Sequence, residues 1–429
     1  MKIVLIGAGS RSFGRGTIVD VLAATEFRGK GVTLALVDLD AAALDVMLRL
    51  AQRIKAQLGS DVALEAHTDR TQALAGADFV VTSVARKRMP LWEQDFRVPA
   101  AYGFRHCLGE NGGPGALFHA LRSLEVMIPI CRDIERLCPN AFLLNYTNPE
   151  ARVLHAILHL TRVKAAGFCH GVFSALRRVE HYTGRPIAEF DVTSAGMNHL
   201  YFLLKCVDRA SGADLLPTLV ERAAAETDPH LQLFREFARI FDVFTFPSDD
   251  HIGEYLAFGH EFMGRKWKYG QESRPVAAPE TARLADLAAY ADGSKALDKG
   301  MLAPSGELVA PVIADIAFDR RNRRAAVNVL NREGYIANLP SGAAVELPAI
   351  VAADGLHPEF VGALPESVAP YLRTQAAIIE LVTEAYASRN RKLLLRALLL
   401  DPCVNSIRNA EALLDDMLRL QAEYLPSFA

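Results

Sequence analysis

A cysteine and two histidines follow short apolar runs in a pattern that suits metal chemistry. Cys169 and His170 come directly after "VKAAGF", and His199 lies in the next such run, "AGMNHLYF". A thiolate and an imidazole are good ligands for a divalent transition metal. The plainer alternative is that Cys169 is a small buried apolar residue and His199 a hydrogen-bonded core histidine. Sites gather at strand ends in parallel sheets, so Cys169 and His199 are candidate metal ligands, and both interpretations stay open on the residues alone.

Other metal chemistries are not indicated. The sequence contains neither an HExxH motif nor a paired CxxC motif. A zinc protease or a zinc finger is therefore unsupported.

A glycine turn near the N-terminus predicts a dinucleotide. The apolar run "KIVLI" leads into "GAGS", and the next strand candidate, "VTLALVD", ends at Asp38. Gly7 allows a tight turn, and Gly9 with Ser10 lets the backbone approach a pyrophosphate at a helix N-terminus. Asp38 would accept a hydrogen bond from a ribose 2′-hydroxyl, which favours NAD over NADP. The usual third glycine is replaced by Ser12, so a glycine turn without a nucleotide remains the alternative.

An acidic loop, "FTFPSDDHIGEYLAFG" at residues 244–259, offers groups for proton transfer. It contains Asp249, Asp250, His251, Glu254 and Tyr255. Such a loop is often simply solvated. The functional interpretation is that it supplies an acid–base residue that faces the nucleotide-binding domain.

The elements that must position these residues alternate along the first half of the chain. Buried-strand candidates such as "ADFVVTSV" and "AFLLNYTNP" are separated by helical stretches such as "LRSLEVMIPICRDIERLC". This alternation predicts an α/β fold with a doubly wound parallel sheet of the Rossmann type over residues 1–195. The later chain mixes helices with a meander of short strands. We expect a second, α+β domain at 196–429 for substrate, metal and oligomerisation.

Length and composition limit the classes of function. The chain has 429 residues, enough for two domains, and a formal net charge of −3, which gives no reason to expect nucleic acid or an anionic membrane as partner. No apolar run is as long as a membrane span. The six cysteines are scattered, which argues against a disulfide scaffold and for a reducing compartment. We therefore expect a cytoplasmic protein.

Several motifs together resemble family 4 of the glycoside hydrolases. They are "GAGS", "LGENGGPGALFHALRSLEVMIPICRDIE", "NYTNPEA", "GFCHGV", "GMNHL", "SDDHIGEYL", "SGE" at 305–307 and "NREGYIANLPSGAAVELPAIV". The likeness covers nearly the whole chain. It implies a fold similar to that of lactate and malate dehydrogenases, and a requirement for NAD⁺ and usually Mn²⁺. NAD-dependent members of this family are exceptions to two-carboxylate glycoside hydrolysis.

The resemblance also implies a reaction. NAD⁺ takes a hydride from C3 of the sugar, and the resulting carbonyl, polarised by the metal, makes the C2 proton acidic. A base removes that proton, the glycosidic oxygen leaves by elimination, water adds, and the hydride returns. In this scheme Cys169 and His199 hold the metal.

Roles for further residues follow from the same resemblance. The base maps to Asp249, although Ser248 replaces the glycine that precedes it in the family, and Asp250 and Tyr255 are its competitors. His170 would contact the 3-hydroxyl or assist the leaving group. Four residues are implied at the substrate, namely Asn148, Asn198, Glu110 and Asn111.

The Cys-His-Gly-Val motif departs from phospho-sugar members, which have Asn or Asp after the cysteine. This predicts an unphosphorylated α-glycoside: an α-galactoside, α-glucoside or α-galacturonide. Binding of a uronate would require an arginine near the C6 carboxylate, and Arg86, Arg88 and Arg105 are the candidates. Alternatives are an NAD-dependent dehydrogenase of a hydroxy acid or polyol, and a sensor without turnover. Family members are dimers or tetramers, so we expect a homodimer or homotetramer.

Overall fold

A parallel sheet forms the first half of the fold. The computed structural model of the chain describes residues 1–10, 13–262, 267–268, 271–272 and 280–428, so Ser12 lies outside the described residues. The strands run in the order β3-β2-β1-β4-β5-β6 and pair in parallel. Their bounds are β1 (Lys2–Ile6), β2 (Thr33–Val37), β3 (Ala63–His67), β4 (Phe79–Thr82), β5 (Phe142–Asn145) and β6 (Lys164–Gly167). This order confirms the predicted Rossmann-type sheet.

Helices cover both faces of this sheet, which is why β1, β2 and β4 are buried along almost their whole length. They are α1 (Phe13–Ala23), α2 (Ala41–Leu58), α3 (Arg70–Leu74), α4 (Arg88–Ala101), α5 (Gly113–Leu137), α6 (Glu150–Leu160) and α7 (Gly171–Thr183). Helix α2 begins where the Asp40 side chain accepts two backbone N–H groups and ends at Gly59, which has φ +62°. Helix α4 was not predicted, because Pro90 and Pro99 interrupt its sequence. Leu91, Trp92 and Phe96 are buried, and the helix packs on α5.

The sheet continues beyond β6 with strands from the later chain. These are β7 (Phe190–Met197), β8 (Leu200–Asp208), β9 (Phe244–Thr245), β12 (Asn322–Leu330), β13 (Ala344–Ala352) and β14 (Gly355–Pro358), while β10 (Trp267–Lys268) and β11 (Gln271–Glu272) form a separate ribbon. Strand β12 pairs with β6, and the order is then β13-β7-β8-β9, all antiparallel. The predicted meander therefore exists, but it extends the first sheet instead of forming its own.

The remaining helices pack around both halves. They are α8 (Leu216–Ala224), α9 (Gln232–Phe241), α10 (Asp249–Gly253), α11 (Glu280–Asp292), α12 (Lys299–Leu302), α13 (Val309–Ala317), α14 (Ala369–Ser388), α15 (Arg391–Leu400) and α16 (Ile407–Leu420). Helix α14 returns to α5 and α6, where Ile378 and Val382 are buried. The division at residue 195 remains a prediction. No helix in the described ranges is both long and apolar enough to cross a membrane.

Candidate active site

The glycine turn after β1 brings Asp38 against the backbone. Gly7 has φ +93°, and a Cβ there would lie 2.3 Å from the Ser83 carbonyl oxygen. The Gly9 N–H donates to Asp38 Oδ2 at 2.8 Å, and a Cβ on Gly9 would lie 2.7 Å from the same oxygen. The Ser10 N–H donates to the Gly7 carbonyl at 3.2 Å. The four predicted cofactor residues therefore lie together where the nucleotide of a Rossmann fold sits.

Gly14, at the start of α1, is a further glycine next to this turn, and it was not identified from the sequence. A Cβ on Gly14 would lie 2.3 Å from the Ala8 carbonyl oxygen. Gly14 thus allows the close approach of helix and turn that the third glycine of the usual pattern provides. Its spacing differs from that pattern, so a search at the position of Ser12 could not find it.

Replacing Gly14 with alanine should destabilise the protein. The Cβ would meet backbone, which cannot shift cheaply, so we expect the free energy of unfolding to fall by about 1–3 kcal/mol. Gly16→Ala is the matched control, because its Cβ would lie 3.0 Å from the Ser305 side chain. Both changes gain roughly 1 kcal/mol of helix propensity. Urea denaturation compares them; a Gly14→Ala protein as stable as Gly16→Ala would refute the close contact.

The two predicted metal ligands lie side by side. Cys169 follows β6, and His199 occupies the two-residue turn between β7 and β8, where it adopts φ +65°. The Cys169 Sγ and His199 Nε2 atoms are 3.3 Å apart. The run "AGMNHLYF" is therefore not one strand but a hairpin, and the turn directs the imidazole toward the thiol.

Neighbouring amides surround this pair with unused hydrogen-bonding atoms. Asn111 Nδ2 lies 3.3 Å from His199 Nδ1, and Asn111 Oδ1 and Asn198 Oδ1 are buried without a partner among the described residues. If the Asn111 side-chain amide is flipped, its Oδ1 accepts a hydrogen bond from the His199 Nδ1–H. The His199 Nε2 atom is then free to bind a metal. Such an arrangement suits a metal-binding histidine.

The protonation preferences of the pair also fit a metal. Burial holds the pKa of His199 well below its usual value, so its imidazole is neutral, the ligating form. Burial raises the pKa of the Cys169 thiol, and a divalent cation would favour the thiolate instead. Among the described residues no group of three or more Cys, His, Asp or Glu is arranged to hold a metal. With Cys169 and His199 as the two protein ligands, the remaining coordination positions would go to substrate and water.

A buried glutamate fixes the loop that faces His199. Glu254 Oε2 accepts the backbone N–H groups of Glu110, Asn111 and Gly112 at 2.8, 2.6 and 3.0 Å. Burial raises the pKa of Glu254 to about 8, while these donors act in the opposite direction. The sequence placed Glu254 in the acidic loop but gave it no role.

The predicted substrate residues Glu110 and Asn148 lie close to each other. Asn148 Nδ2 donates to Glu110 Oε1 at 3.4 Å, and Arg88 pairs with the same oxygen at 2.7 Å. The carboxylate of Glu110 therefore neutralises Arg88, one of the three arginines considered for a uronate.

The acidic loop distributes its members unevenly around the site. Asp249 Oδ1 accepts the backbone N–H of Phe234 at 3.0 Å, at the start of α9. The Tyr255 hydroxyl donates to the Asn198 carbonyl at 3.0 Å. The His251 ring meets the His199 ring edge to face, with centroids 4.6 Å apart. Sequence reasoning named His251 without a role, although it contacts the candidate metal ligand directly.

The remaining competitor, Asp250, has only 4% of its surface exposed. Its charge, like those of Glu254 and Asp249, acts with burial to raise the pKa of the Cys107 thiol. Asp250 therefore faces the packed interior around Cys107.

His170 lies at the rim of the site and pairs with Glu307. Its Nδ1 is 2.7 Å from Glu307 Oε1, and 66% of its side chain is exposed. Ser305 supports Glu307 by accepting its backbone N–H at 3.0 Å. The "SGE" motif thus orients the imidazole. The contact spans 137 residues of sequence, so no local signal could predict it.

Replacing Glu307 with glutamine should lower the pKa of His170. The Glu307 carboxylate raises that pKa, and its stabilisation is present below the unfolded value of about 6.5 and is lost as pH rises through the folded value. We therefore expect Glu307→Gln to reduce stability at pH 5.5 more than at pH 9. NMR titration of the imidazole measures the shift. An unchanged titration would show that the ion pair is absent in solution.

Two family models match successive parts of this chain. Residues 2–184 match the model of the family 4 glycosyl hydrolases, and residues 194–404 match the model of the C-terminal domain of that family.

Curated relatives match over nearly their full length. An α-glucosidase of Erwinia rhapontici is 29% identical over 99% of this chain and 98% of that protein. An α-galactosidase of Bacillus subtilis is 28% identical over 100% of this chain and 99% of that protein. An α-galacturonidase of Lachnoclostridium phytofermentans is 26% identical over 99% of this chain and 97% of that protein.

Solved structures share the fold. A 6-phospho-α-glucosidase from gut microorganisms, in complex with NAD and Mn²⁺, has a TM-score of 0.85 at 21% identity, over 100% of this chain and 99% of that one. Malate dehydrogenase of Plasmodium falciparum has a TM-score of 0.55 at 14% identity, over 90% of this chain and 99% of that one. The predicted dehydrogenase-like fold is thus confirmed. Because the two family models together span most of the sequence, this chain belongs to the family 4 glycosyl hydrolases.

Proposed function

We propose that this glycoside hydrolase cleaves unphosphorylated α-glycosides by oxidation at C3, deprotonation at C2, elimination of the aglycone and addition of water. The observation that carries the proposal is the 3.3 Å approach of Cys169 Sγ and His199 Nε2. The thiol follows the carboxyl end of β6, and the glycine turn follows that of β1 in the same sheet. Ligand sites of doubly wound sheets lie along that edge.

NAD would bind at the turn formed by Gly7, Gly9 and Ser10. Asp38 fits the ribose of NAD, because its carboxylate lies beside the Gly9 backbone and would repel a 2′-phosphate. The 6-phospho-α-glucosidase of similar fold binds NAD and Mn²⁺. When bound, NAD supplies a reversible hydride acceptor, and a divalent cation such as Mn²⁺ polarises sugar oxygens.

Cys169 and His199 would hold the divalent cation. Asn111 orients the imidazole through its Nδ1, and Asn198 lies next to it in the hairpin turn. The unpartnered oxygens of Asn111 and Asn198 are available to sugar hydroxyls or to the imidazole. Glu110 and Asn148 would contact the sugar from the opposite loop.

The loop at 248–255 would supply the base for the C2 proton. The family resemblance assigns that role to Asp249, with Asp250 and Tyr255 as competitors. In the folded chain Asp249 caps α9 and the Tyr255 hydroxyl is bound to a carbonyl, whereas His251 contacts His199. Because its ring contacts His199, His251 is better placed to accept the C2 proton. We therefore add His251 to Asp249 and Tyr255 as a candidate base.

His170 would assist the departing aglycone. It lines a cleft of about 430 Å³ together with Phe173, Leu176, Arg177 and Glu307. An aglycone in this cleft could pack on Phe173 and Leu176 while its oxygen meets the His170 imidazole. The bond from His170 Nδ1 to Glu307 leaves Nε2 for that contact.

The substrate class rests on the Cys-His-Gly-Val motif and on the relatives. Their names include an α-glucosidase, an α-galactosidase and an α-galacturonidase. Arg88 is paired with Glu110, and Arg122 with Asp95, so both are neutralised by carboxylates. This favours an unphosphorylated sugar over a phosphorylated one. The second candidate is a 6-phospho-glucoside, because a relative from Bacillus subtilis is a probable 6-phospho-β-glucosidase.

The domain arrangement and assembly belong to the same proposal. Residues 1–195 would bind NAD, and residues 196–429 would complete the metal and substrate site and mediate assembly. We propose a homodimer or homotetramer that works in the cytoplasm.

Release of nitrophenol tests the proposal. The 4-nitrophenyl α-D-galactoside, α-D-glucoside and α-D-galacturonide are each assayed with NAD⁺, Mn²⁺ and reductant, omitting one component at a time, with 4-nitrophenyl 6-phospho-glucosides in parallel. We expect hydrolysis of an unphosphorylated α-glycoside that needs NAD⁺ without stoichiometric NADH. Cleavage of the phosphorylated sugar alone would transfer the assignment to the second candidate. NADH formed in step with substrate loss, without cleavage, would indicate a dehydrogenase.

A further inference from the structure

A row of residues crosses the sheet directly beneath the Cys169–His199 pair. Gly167 of β6 lies opposite Asn328 of β12, Asn328 lies opposite Glu346 of β13, and Glu346 lies opposite Gly196 of β7. Cys169 comes two residues after one end of the row, and His199 three residues after the other. The row therefore connects the two strands that deliver the candidate metal ligands.

Glu346 holds this row together through one carboxylate oxygen. Its Oε2 accepts from Asn328 Nδ2 and from Asn198 Nδ2, both at 3.1 Å. Asn328 Nδ2 also donates to the Gly167 carbonyl at 3.3 Å. Only 2% of Glu346 is exposed. A single buried carboxylate thus links the strand before Cys169 to the turn that carries His199.

The second oxygen of Glu346 has no such role. Its Oε1 is buried without a hydrogen-bond partner among the described residues. A glutamine at this position could therefore keep both hydrogen bonds through its own carbonyl oxygen and place its NH₂ where Oε1 lies. Alanine would remove the link entirely. Charge and geometry can be separated by these two substitutions.

We propose that Glu346 is a positioning residue, which fixes the separation of Cys169 and His199 and thereby sets the affinity of the metal site. This inference rests on the proposed function, since it assumes that the pair binds a divalent cation. Residues that orient metal ligands from behind typically contribute 10–100-fold to affinity. Nothing in the reaction requires Glu346 to touch the sugar.

Binding of Mn²⁺ to the full-length protein tests this role. We expect Glu346→Ala to raise the Kd for Mn²⁺ about 10–100-fold in isothermal titration or EPR, and Glu346→Gln to stay close to wild type. Without metal, the rate of Cys169 alkylation by iodoacetamide should rise more in Glu346→Ala than in Glu346→Gln, because both changes remove the charge that disfavours the thiolate and only alanine also removes the link. Glu359→Ala, which removes a surface partner of Arg323, is the matched control. It should change neither the Kd for Mn²⁺ nor the rate of Cys169 alkylation. Binding of NAD⁺ reports that the first half of each variant remains folded.

The outcomes separate this role from the metal site itself. A Glu346→Ala protein with wild-type Mn²⁺ affinity, or a Glu346→Gln protein as impaired as alanine, would overturn the positioning role alone. Wild-type protein that bound no Mn²⁺ would overturn the metal site and this role with it. If Glu346→Ala does not fold, Asn328→Ala breaks the same link at its other hydrogen bond and should weaken Mn²⁺ binding in the same direction.

Discussion

Replacing Cys169 with alanine should abolish Mn²⁺ binding and nearly all glycoside cleavage. The change removes one of two protein ligands, and the loss of a Lewis-acid ion forfeits several kcal/mol of transition-state stabilisation. About 4 kcal/mol corresponds to roughly a 10³-fold fall in kcat/KM. His199→Ala should have an effect of the same size. Both variants are measured at saturating NAD⁺, with Mn²⁺ binding followed separately.

Cys206→Ala is the control for this prediction. Cys206 is a buried free cysteine in β8, the strand that follows His199, and it pairs with Val192 well away from the turn. Its replacement should reduce stability without changing the requirement for metal. If Cys169→Ala kept wild-type activity that chelators could not remove, the metal assignment would be wrong.

Replacing His251 with asparagine should slow deprotonation at C2. A positioned base contributes about 10²–10⁴-fold, so we expect kcat to fall within that range while NAD⁺ binding is unchanged. Asp249→Asn and Tyr255→Phe are measured in parallel. Because the asparagine oxygen can still accept the Phe234 N–H, the Asp249 change should leave the start of α9 largely intact.

The comparison of the three variants assigns the base. A kinetic isotope effect from a substrate deuterated at C2 shows whether proton removal limits each variant. If Asp249→Asn or Tyr255→Phe shows the largest fall in kcat and His251→Asn little, the base belongs to that residue instead. The assignment that follows from the family resemblance would stand only if Asp249→Asn showed the largest fall.

Local patterns predicted the first half of the fold well. Strands alternate with helices from β1 to β6, and all of them except α4 are recognisable within their own residues. The joining of β12 to β6 could not be predicted, because pairing partners separated by 161 residues leave no local trace. The tight turn at Asn198 and His199 was also hidden, since both flanking strands are apolar and read as one run.

The candidate site shows the same limit. Cys169 and His199 were found because their residue types suit a metal, and the structure brings them together. Glu254 and Glu346 were not assigned roles, because Glu254 binds backbone groups at least 142 residues away and Glu346 binds Asn198, which is 148 residues away. Asp249 was chosen from a motif, which gives no information about the helix start that its carboxylate caps.

Hydrolysis in D₂O tests the central claim, that cleavage proceeds by elimination. The sugar released at early times is analysed by mass spectrometry and NMR, with free sugar incubated alongside to measure exchange of the product. We expect one carbon-bound deuterium at C2 of the released sugar, because the C2 proton is removed and solvent adds back. A released sugar without carbon-bound deuterium would mean direct displacement at C1 and would contradict the proposed reaction.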